Sequence, residues 1–298
     1  MSPKQKRTLP VISFFSGCGA FDLGFLSAGF NIGLAIDSDA VAVKTYNHNH
    51  SRGNEICKVA DLAKLKGPDV IRLWEENNHE LPLGVIGGSP CQTFSNSNVH
   101  FRENDARHTL PRKYARILKS LNSHYELDFF VFENVKGITS ARHRQEYTII
   151  KRLFKSAGFV LFEGELDAAN FGVAQHRERV FLVGLNTKKY SNLKFKFPDA
   201  KTKSPLTVQA VLENLPEPLL FKRGTKKEQI PHHPNHWAMF PKSRRFYDGS
   251  LTSNSKHGRS FRVLKGNKPS WTVAYGNREV HIHPKCHRRL SVYEAMLL

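Results

Sequence analysis

Cysteine is scarce in this sequence. The four present, Cys18, Cys57, Cys91 and Cys286, include no Cys-x-x-Cys pair. That spacing argues against a zinc knuckle, and a reducing compartment argues against disulfides, so each cysteine needs its own explanation. Long apolar runs are absent too: none approaches the roughly 20 residues that span a bilayer. The stretch from Met1 to Pro10 is polar and basic, without the apolar core or cleavage site of a signal peptide. A cytoplasmic protein is therefore expected. No internal repeat is visible. Acidic residues run short late in the chain: residues 188–298 hold 22 Lys/Arg against 7 Asp/Glu, whereas residues 1–187 hold 23 against 19. The net charge of +19 is thus concentrated. A concentrated positive field suits a polyanion, and nucleic acid is the usual one.

What is present looks globular. Apolar residues make up 40% of the 298, enough for one large domain with a sizeable core and a smaller domain beside it. Over residues 1–187, short apolar runs alternate with amphipathic segments. Val11 to Phe15, Ile32 to Ile36, Leu83 to Ile86, Phe129 to Phe132 and Val180 to Val183 read as strands. Phe21 to Phe30, Ala40 to Tyr46, Lys113 to Leu121 and Tyr147 to Ala157 read as helices, the last closed by Gly158. This alternation predicts an α/β fold with a doubly wound, mostly parallel sheet. The pattern breaks down after Leu185. Residues 188–268 are rich in Lys, Pro, Ser, Asn and His, and are assigned to a smaller basic domain. Phe195, Phe197, Phe221, Trp237, Phe240, Phe246, Tyr247 and Phe261 are expected to build its core. Residues 269–298 are expected to return to the first domain, giving bounds of 1–187, 188–268 and 269–298.

Three local patterns carry chemistry. Phe15-Ser16-Gly17-Cys18-Gly19-Ala20 joins the first strand to the first helix, where glycines let backbone approach a ligand. It has no lysine of a Walker-type phosphate loop, and its third small position is alanine. Asp37, closing the next strand, is placed to meet a ribose hydroxyl. By itself the pattern fits a tight strand–helix turn as well as it fits a nucleotide-like ligand. Gly87-Gly88-Ser89-Pro90-Cys91-Gln92 follows a strand and presents a cysteine at the sheet edge where open α/β sheets bind ligands. A single cysteine is ordinarily a small buried hydrophobe. A nucleophilic one needs fixed positive charge or dipoles. Glu133, in Phe132-Glu133-Asn134-Val135, and the arginines of Gln175-His176-Arg177-Glu178-Arg179 supply an acid and cations. A thiol, an acid and cations together make a site that activates an acceptor plausible.

In their order along the chain these stretches resemble the cytosine-5 DNA methyltransferases. The resemblance extends to Asp61, to Asp105-Ala106-Arg107-His108-Thr109-Leu110, to Pro269–Thr272 and to Arg289-Leu290-Ser291-Val292-Tyr293-Glu294. It covers most of the chain outside the middle of 188–268. What it implies is specific. Phe15, Gly17, Cys18, Gly19, Asp37, Asp61 and Pro90 would surround S-adenosylmethionine. Cys91 would add to carbon 6 of a flipped-out cytosine. Glu133 would act at ring nitrogen 3, and Arg179, with Arg177, at the 2-carbonyl oxygen. The loop from Gln92 to Thr109, with Ser95, Arg102 and Arg107, would close over duplex DNA as a phosphate-facing lid. The basic segment would be the target-recognition domain, with Arg244, Arg245, Asn254 and Arg259 as candidates for reading base edges. One departure is Ser38, where the family often has a tryptophan.

The family's later Gly-Asn-Ser-Val-like stretch does not occur in this sequence. Three explanations compete: a second polypeptide supplying it as a partner, a truncated gene, or a stretch dispensable here; the first two together are favoured over the third. Two rival functions stand beside DNA methylation: transfer-RNA cytosine-5 methylation, and a DNA-binding subunit without turnover. A zinc protein built on His232, His233, His236, His281 or His283 is the weakest reading, because paired ligand spacing is lacking.

Overall fold

The computed structural model describes residues 9–50, 55–78, 80–90, 109–190, 192–202, 204–252, 261–273 and 280–298. They divide into two compact units. The first comprises residues up to Glu165 together with Arg179–Phe197; the second comprises Leu166–Glu178 and Pro198–Leu298. These bounds differ from those read in the sequence: residues 188–197 group with the first unit, and residues 269–298 with the second.

The first unit is built on a seven-stranded sheet. Its strands are β1 (Pro10–Phe14), β2 (Asn31–Asp37), β3 (Cys57–Val59), β4 (Gly84–Gly88), β5 (Phe129–Val135), β6 (Phe159–Asp167) and β7 (Glu178–Asn186). Their order across the sheet is β3-β2-β1-β4-β5-β7-β6. The first five are parallel, and β7 pairs antiparallel with β5. The sheet is doubly wound and mostly parallel. All five residues of β1 are buried, as expected for a central parallel strand covered on both faces.

Among the described residues, this unit carries α1 (Ala20–Ser27), α2 (Ala40–His50), α3 (Gly67–Glu75), α4 (Leu110–Tyr125) and α5 (Arg144–Ser156). Ile12 and Phe14 of β1 join one core with Trp74 of α3, Tyr114 of α4 and Phe154 of α5. Val11 joins the other with Val43 and Tyr46 of α2, and Phe21 and Phe25 of α1 pack against it. The period of two along β1 therefore sorts its side chains into two helical layers. Tyr114 lies at the centre of the larger core, its ring meeting those of Phe14, Phe132 and Phe154 edge-on at 5.2–5.6 Å. Its hydroxyl donates to the Val131 carbonyl at 3.2 Å, so a phenol enters the core without an orphaned donor. Gly158, at φ 96°, ends α5 in the left-handed conformation anticipated for it.

Three elements of this unit were not anticipated. β3 has only three residues, and α3 opens on Gly67-Pro68, which reads as a turn but serves here as a helix start. β6 buries only Phe159 fully, the rest being half-buried or exposed, and it carries Glu163 and Glu165, so it lacks a strong apolar run.

The second unit is held differently. Its strands are two residues long: Leu219–Leu220 pairs with Trp237–Ala238, Arg262–Val263 with His281–Ile282, and Gln175–His176 with Ser270–Trp271. Two short helices, α6 (Val208–Leu212) and α7 (Val292–Leu297), complete it. The expected aromatic core forms only in part: Phe246 and Phe261 pack against a small buried aliphatic cluster. Phe221, Phe240 and Tyr247 are exposed, and Phe195 and Phe197 group with the first unit. The core is mainly aliphatic instead: Val208, Leu212, Leu264, Leu290, Ala295 and Leu298, with Leu251, Val263 and Ile282 in a second small cluster.

Buried polar bonds supplement this thin core. Arg288 donates to both carboxylate oxygens of Glu294, each at 2.8 Å, and to Glu217 at 2.8 Å. Burial disfavours the Glu217 carboxylate, but bonds from Arg288 and His287 outweigh it and hold the group at about 2. Ser291 and Glu294 cap α7 reciprocally, Ser291 Oγ accepting at 3.0 Å and Glu294 Oε2 at 2.7 Å. His236, fully buried, bridges Ser291 Oγ and the Pro216 carbonyl. His233 stacks on Tyr293 at 4.2 Å. Among the described residues no group of three His, Cys, Asp or Glu is arranged to hold a metal ion. No helix among them is long and apolar enough to cross a membrane.

Candidate active site

The C-terminal ends of β1 to β5 share one edge because these strands are parallel. The loop leaving β1 takes the left-handed conformation three times in five residues, at Phe15 (φ 54°), Gly17 (φ 54°) and Gly19 (φ 92°). Glycine adopts it freely; at Phe15 it costs about 1–3 kcal/mol, which the surroundings must offset. Backbone bonds do part of this. Ser16 N donates to Ile36 O at 3.2 Å, and Gly19 N to Ser16 O at 2.9 Å. Asp37, the last residue of β2, does more: Oδ2 accepts from Gly17 N at 2.8 Å and Oδ1 from Asp39 N at 2.9 Å. Its own carbonyl accepts from Ala60 N at 2.8 Å, beyond the end of β3. Asp61 follows and turns the chain by accepting from Ala63 N at 2.9 Å. Phe15, Gly17, Asp37 and Asp61 thus lie at the ends of three adjacent strands, and Cys18 is exposed in the loop.

β4 reaches the same edge through two glycines that sterics require. Gly87 has φ 153°, and a Cβ there would collide with the Phe14 carbonyl oxygen across the β1–β4 pair. A Cβ on Gly88 would sit 2.5 Å from Glu133 Oε2, so glycine makes room for that carboxylate. Gly88 and Glu133 are register partners in the β4–β5 pair. The turn that follows, Ser89-Pro90, is fixed from β5. Asn134 is buried, and its Nδ2 donates to Ser89 O at 3.2 Å and to Ser89 Oγ at 3.1 Å. Pro90 is described; Cys91, directly after it, lies outside the described residues, as do Ser95, Arg107 and Arg259.

Glu133 has a cation beside it. Arg179 Nε lies 2.7 Å from Glu133 Oε1, and both side chains are mostly buried. In the antiparallel β5–β7 pair Arg179 stands opposite Val135, and Glu133 opposite Phe181. Glu133 and Arg179 are therefore diagonal neighbours on one face of the sheet, within reach of long side chains. The salt bridge orients the carboxylate and leaves Oε2 toward the Gly88 backbone. Of the other cysteines, burial pushes the Cys57 thiol up to about 11 and raises that of Cys286. Both are poor nucleophiles at neutral pH.

A glycine loop, an acid on the neighbouring strand and a Glu–Arg pair at one sheet edge define a site whose family can be tested by comparison. The profile of the C-5 cytosine-specific DNA methylases matches residues 9–298. The chain belongs to this family. Type II methyltransferase M.NmeDI of Neisseria meningitidis serogroup C is 30% identical, over 99% of this chain and 75% of that protein. Type II methyltransferase M.MthTI of Methanothermobacter thermautotrophicus is 32% identical, over 95% and 78%. A crystal structure described as a putative DNA modification methyltransferase from an E. coli prophage superposes with a TM-score of 0.70 at 23% identity, covering 96% of this chain and 86% of that one. That likeness establishes the fold. The protein is a DNA cytosine-5 methyltransferase.

The remaining sequence candidates of this methylase fall elsewhere. Arg177 belongs to the second unit and is exposed; its amide donates to Asp167 Oδ1 at 2.8 Å. Arg177 precedes β7, and the boundary between the two units falls between Glu178 and Arg179. Arg244 and Arg245 lie in an exposed single turn of 3-10 helix in the second unit, with Arg245 over the Phe261 ring at 5.1 Å. Asn134 was passed over in the sequence, where it was only a neighbour of Glu133. Its signal was there: a polar residue in an otherwise apolar strand must find a buried partner.

Proposed function

We propose that this methylase transfers a methyl group from S-adenosylmethionine to carbon 5 of a cytosine flipped out of duplex DNA, with Cys91 as the nucleophile. The observation that carries the reading is the placing of Glu133, held by Arg179, against Gly88 beside the Asn134-anchored turn that leads into Cys91. The cofactor is tested by the glycine loop. A Cβ at Gly17 would meet nothing within 4 Å, so this left-handed backbone borders open space. Each Asp37 oxygen accepts one amide and retains a lone pair for a vicinal hydroxyl. Phe15, Gly17, Cys18, Gly19, Asp37, Asp61 and Pro90 would hold the cofactor, which when bound supplies an electrophilic methyl group on sulfur.

The chain's own residues would do the rest. The Cys91 thiolate adds to carbon 6 of cytosine, and the ring's electron pair becomes available at carbon 5. Glu133 holds the proton that ring nitrogen 3 takes up as charge moves onto the ring. Arg179 fixes Glu133 and supplies positive charge beside the 2-carbonyl oxygen, where charge accumulates. After methyl transfer, a base removes the carbon 5 proton, the double bond re-forms and the thiolate leaves. A stacked base cannot reach such groups, so the cytosine must be extruded. Arg244 and Arg245, on the basic second unit, would contact DNA phosphates or base edges.

The test is trapping on 5-fluorocytosine duplex DNA with added S-adenosylmethionine, where fluorine blocks the final elimination. Wild-type protein is expected to form a covalent adduct and Cys91→Ser none. An adduct with the serine variant would overturn the assignment of Cys91; transfer to transfer RNA in preference to duplex DNA would overturn the substrate.

A further inference from the structure

The methyl-donor reading of the glycine loop leaves one buried acid unused. Asp22, in the first turn of α1, is fully buried. Its Oδ1 accepts from Ser13 Oγ of β1 at 2.7 Å, and its Oδ2 from the Tyr46 hydroxyl of α2 at 2.8 Å. Both of these partners are neutral donors. Burial raises its carboxyl above the ordinary aspartate range, offset in part by Ser13, Tyr46 and the nearby His50. A carboxyl in such a place is a poor way to gain stability, because an apolar residue would avoid the desolvation cost. What it offers is directed bonds that fix three elements in one register.

Those elements converge behind the glycine loop. Gly19 is the N-cap of α1. A Cβ on it would meet the His50 ring and lie 3.0 Å from Tyr46 Cδ2, so the loop backbone rests on the Tyr46 ring. Tyr46 therefore has two duties: its hydroxyl bonds Asp22, and its ring supports Gly19. The Tyr46 and His50 rings pack at 4.8 Å. In front of the loop, Gly17 N is held by Asp37. The loop is clamped from both sides, by Asp37 at the ligand edge and by the Ser13–Asp22–Tyr46 bonds behind.

We propose that Asp22 is a positioning residue for the methyl-donor site: through Tyr46 it sets the Phe15–Gly19 loop in the shape that receives the donor. This rests on the cofactor reading above. The test uses Asp22→Asn, Tyr46→Phe and the double variant of the full chain, with three measurements. Calorimetry with S-adenosylhomocysteine, an unreactive analogue, should show about tenfold weaker binding for each single variant. The double variant should be no more than slightly worse, because both remove one bond. Hydrogen exchange of the unliganded protein should show faster exchange at the Gly17 and Gly19 amides. Duplex-DNA affinity should stay within twofold of wild type. Single variants that bind the analogue like wild type overturn the inference, and so does an equal loss of DNA affinity, which would mark general destabilisation. Failure of the wild-type chain to bind the analogue would overturn the cofactor reading and this inference with it.

Discussion

The two units of this methylase reach order by opposite routes. The first buries aromatic and branched side chains on both faces of a seven-stranded sheet, and the Glu133–Arg179 pair stands at the edge of that sheet. The second has two-residue strands, an aliphatic core of modest size and a buried Arg288–Glu294 pair with the exposed Glu217 joined to it, and leaves many of its rings and cations in solvent. The contrast shows where geometric exactness is required. Chemistry at one atom needs side chains held within fractions of an ångström, which a packed sheet provides. Contact with a long polyanion needs charge over an area, which a thinner scaffold can display.

Five outcomes would break or sharpen this contrast. The largest effect is expected at the sheet edge. On the proposed mechanism, Glu133→Gln should lower single-turnover methyl transfer by about 10²–10⁴-fold while duplex affinity changes little. A loss of affinity equal to the loss of rate would show that the edge binds DNA and does not separate chemistry from binding. Next come the two cores. Phe154→Ala should cost about 3–5 kcal/mol by urea denaturation, since its ring packs against Phe130 at 4.5 Å and Tyr114 at 5.6 Å. Glu294→Gln should cost about 3 kcal/mol by leaving Arg288 buried and poorly compensated. If Glu294→Gln proves neutral, the second unit relies on apolar packing after all.

A smaller effect is expected from the exposed cations. If Arg244 and Arg245 meet phosphates, replacing either with glutamine should reduce the slope of log affinity against log salt by about 1. An unchanged slope would remove that residue from the interface. The smallest is a pH effect. Burial, with the Arg288 charge nearby, pushes His283 down to about 4. The unfolded chain, with a histidine near the ordinary value of about 6.5, binds the proton earlier. Stability from this group is therefore complete above about 6.5 and lost as pH falls toward 4. Thermal melts of His283→Gln over that window should show a flatter decline than wild type; parallel curves would assign the pH response to other groups.

How legible the molecule was follows the same division. The Val11–Phe14 and Phe129–Phe132 runs and the Tyr147–Ala157 period were visible because burying them requires their apolar pattern. Glu133 and Arg179 were visible as charged residues closing or opening such runs. β3, α3 and β6 were not, being short, glycine-and-proline-led or half exposed. The second unit's rings misled, because a ring's burial depends on how much chain surrounds it, which composition does not report.

From the sequence alone followed the family, the sheet's class, the glycine loop with Asp37, and the basic charge of the late segment, since each rests on residue type and short-range order. Tertiary structure decided the antiparallel placing of β7, the Asn134 anchor on Ser89 and the convergence of Ser13, Asp22 and Tyr46 behind Gly19. These depend on which strands become neighbours and on bonds between residues 45 and 24 positions apart in the chain. Local propensity has no term for such pairings; packing of the whole chain does.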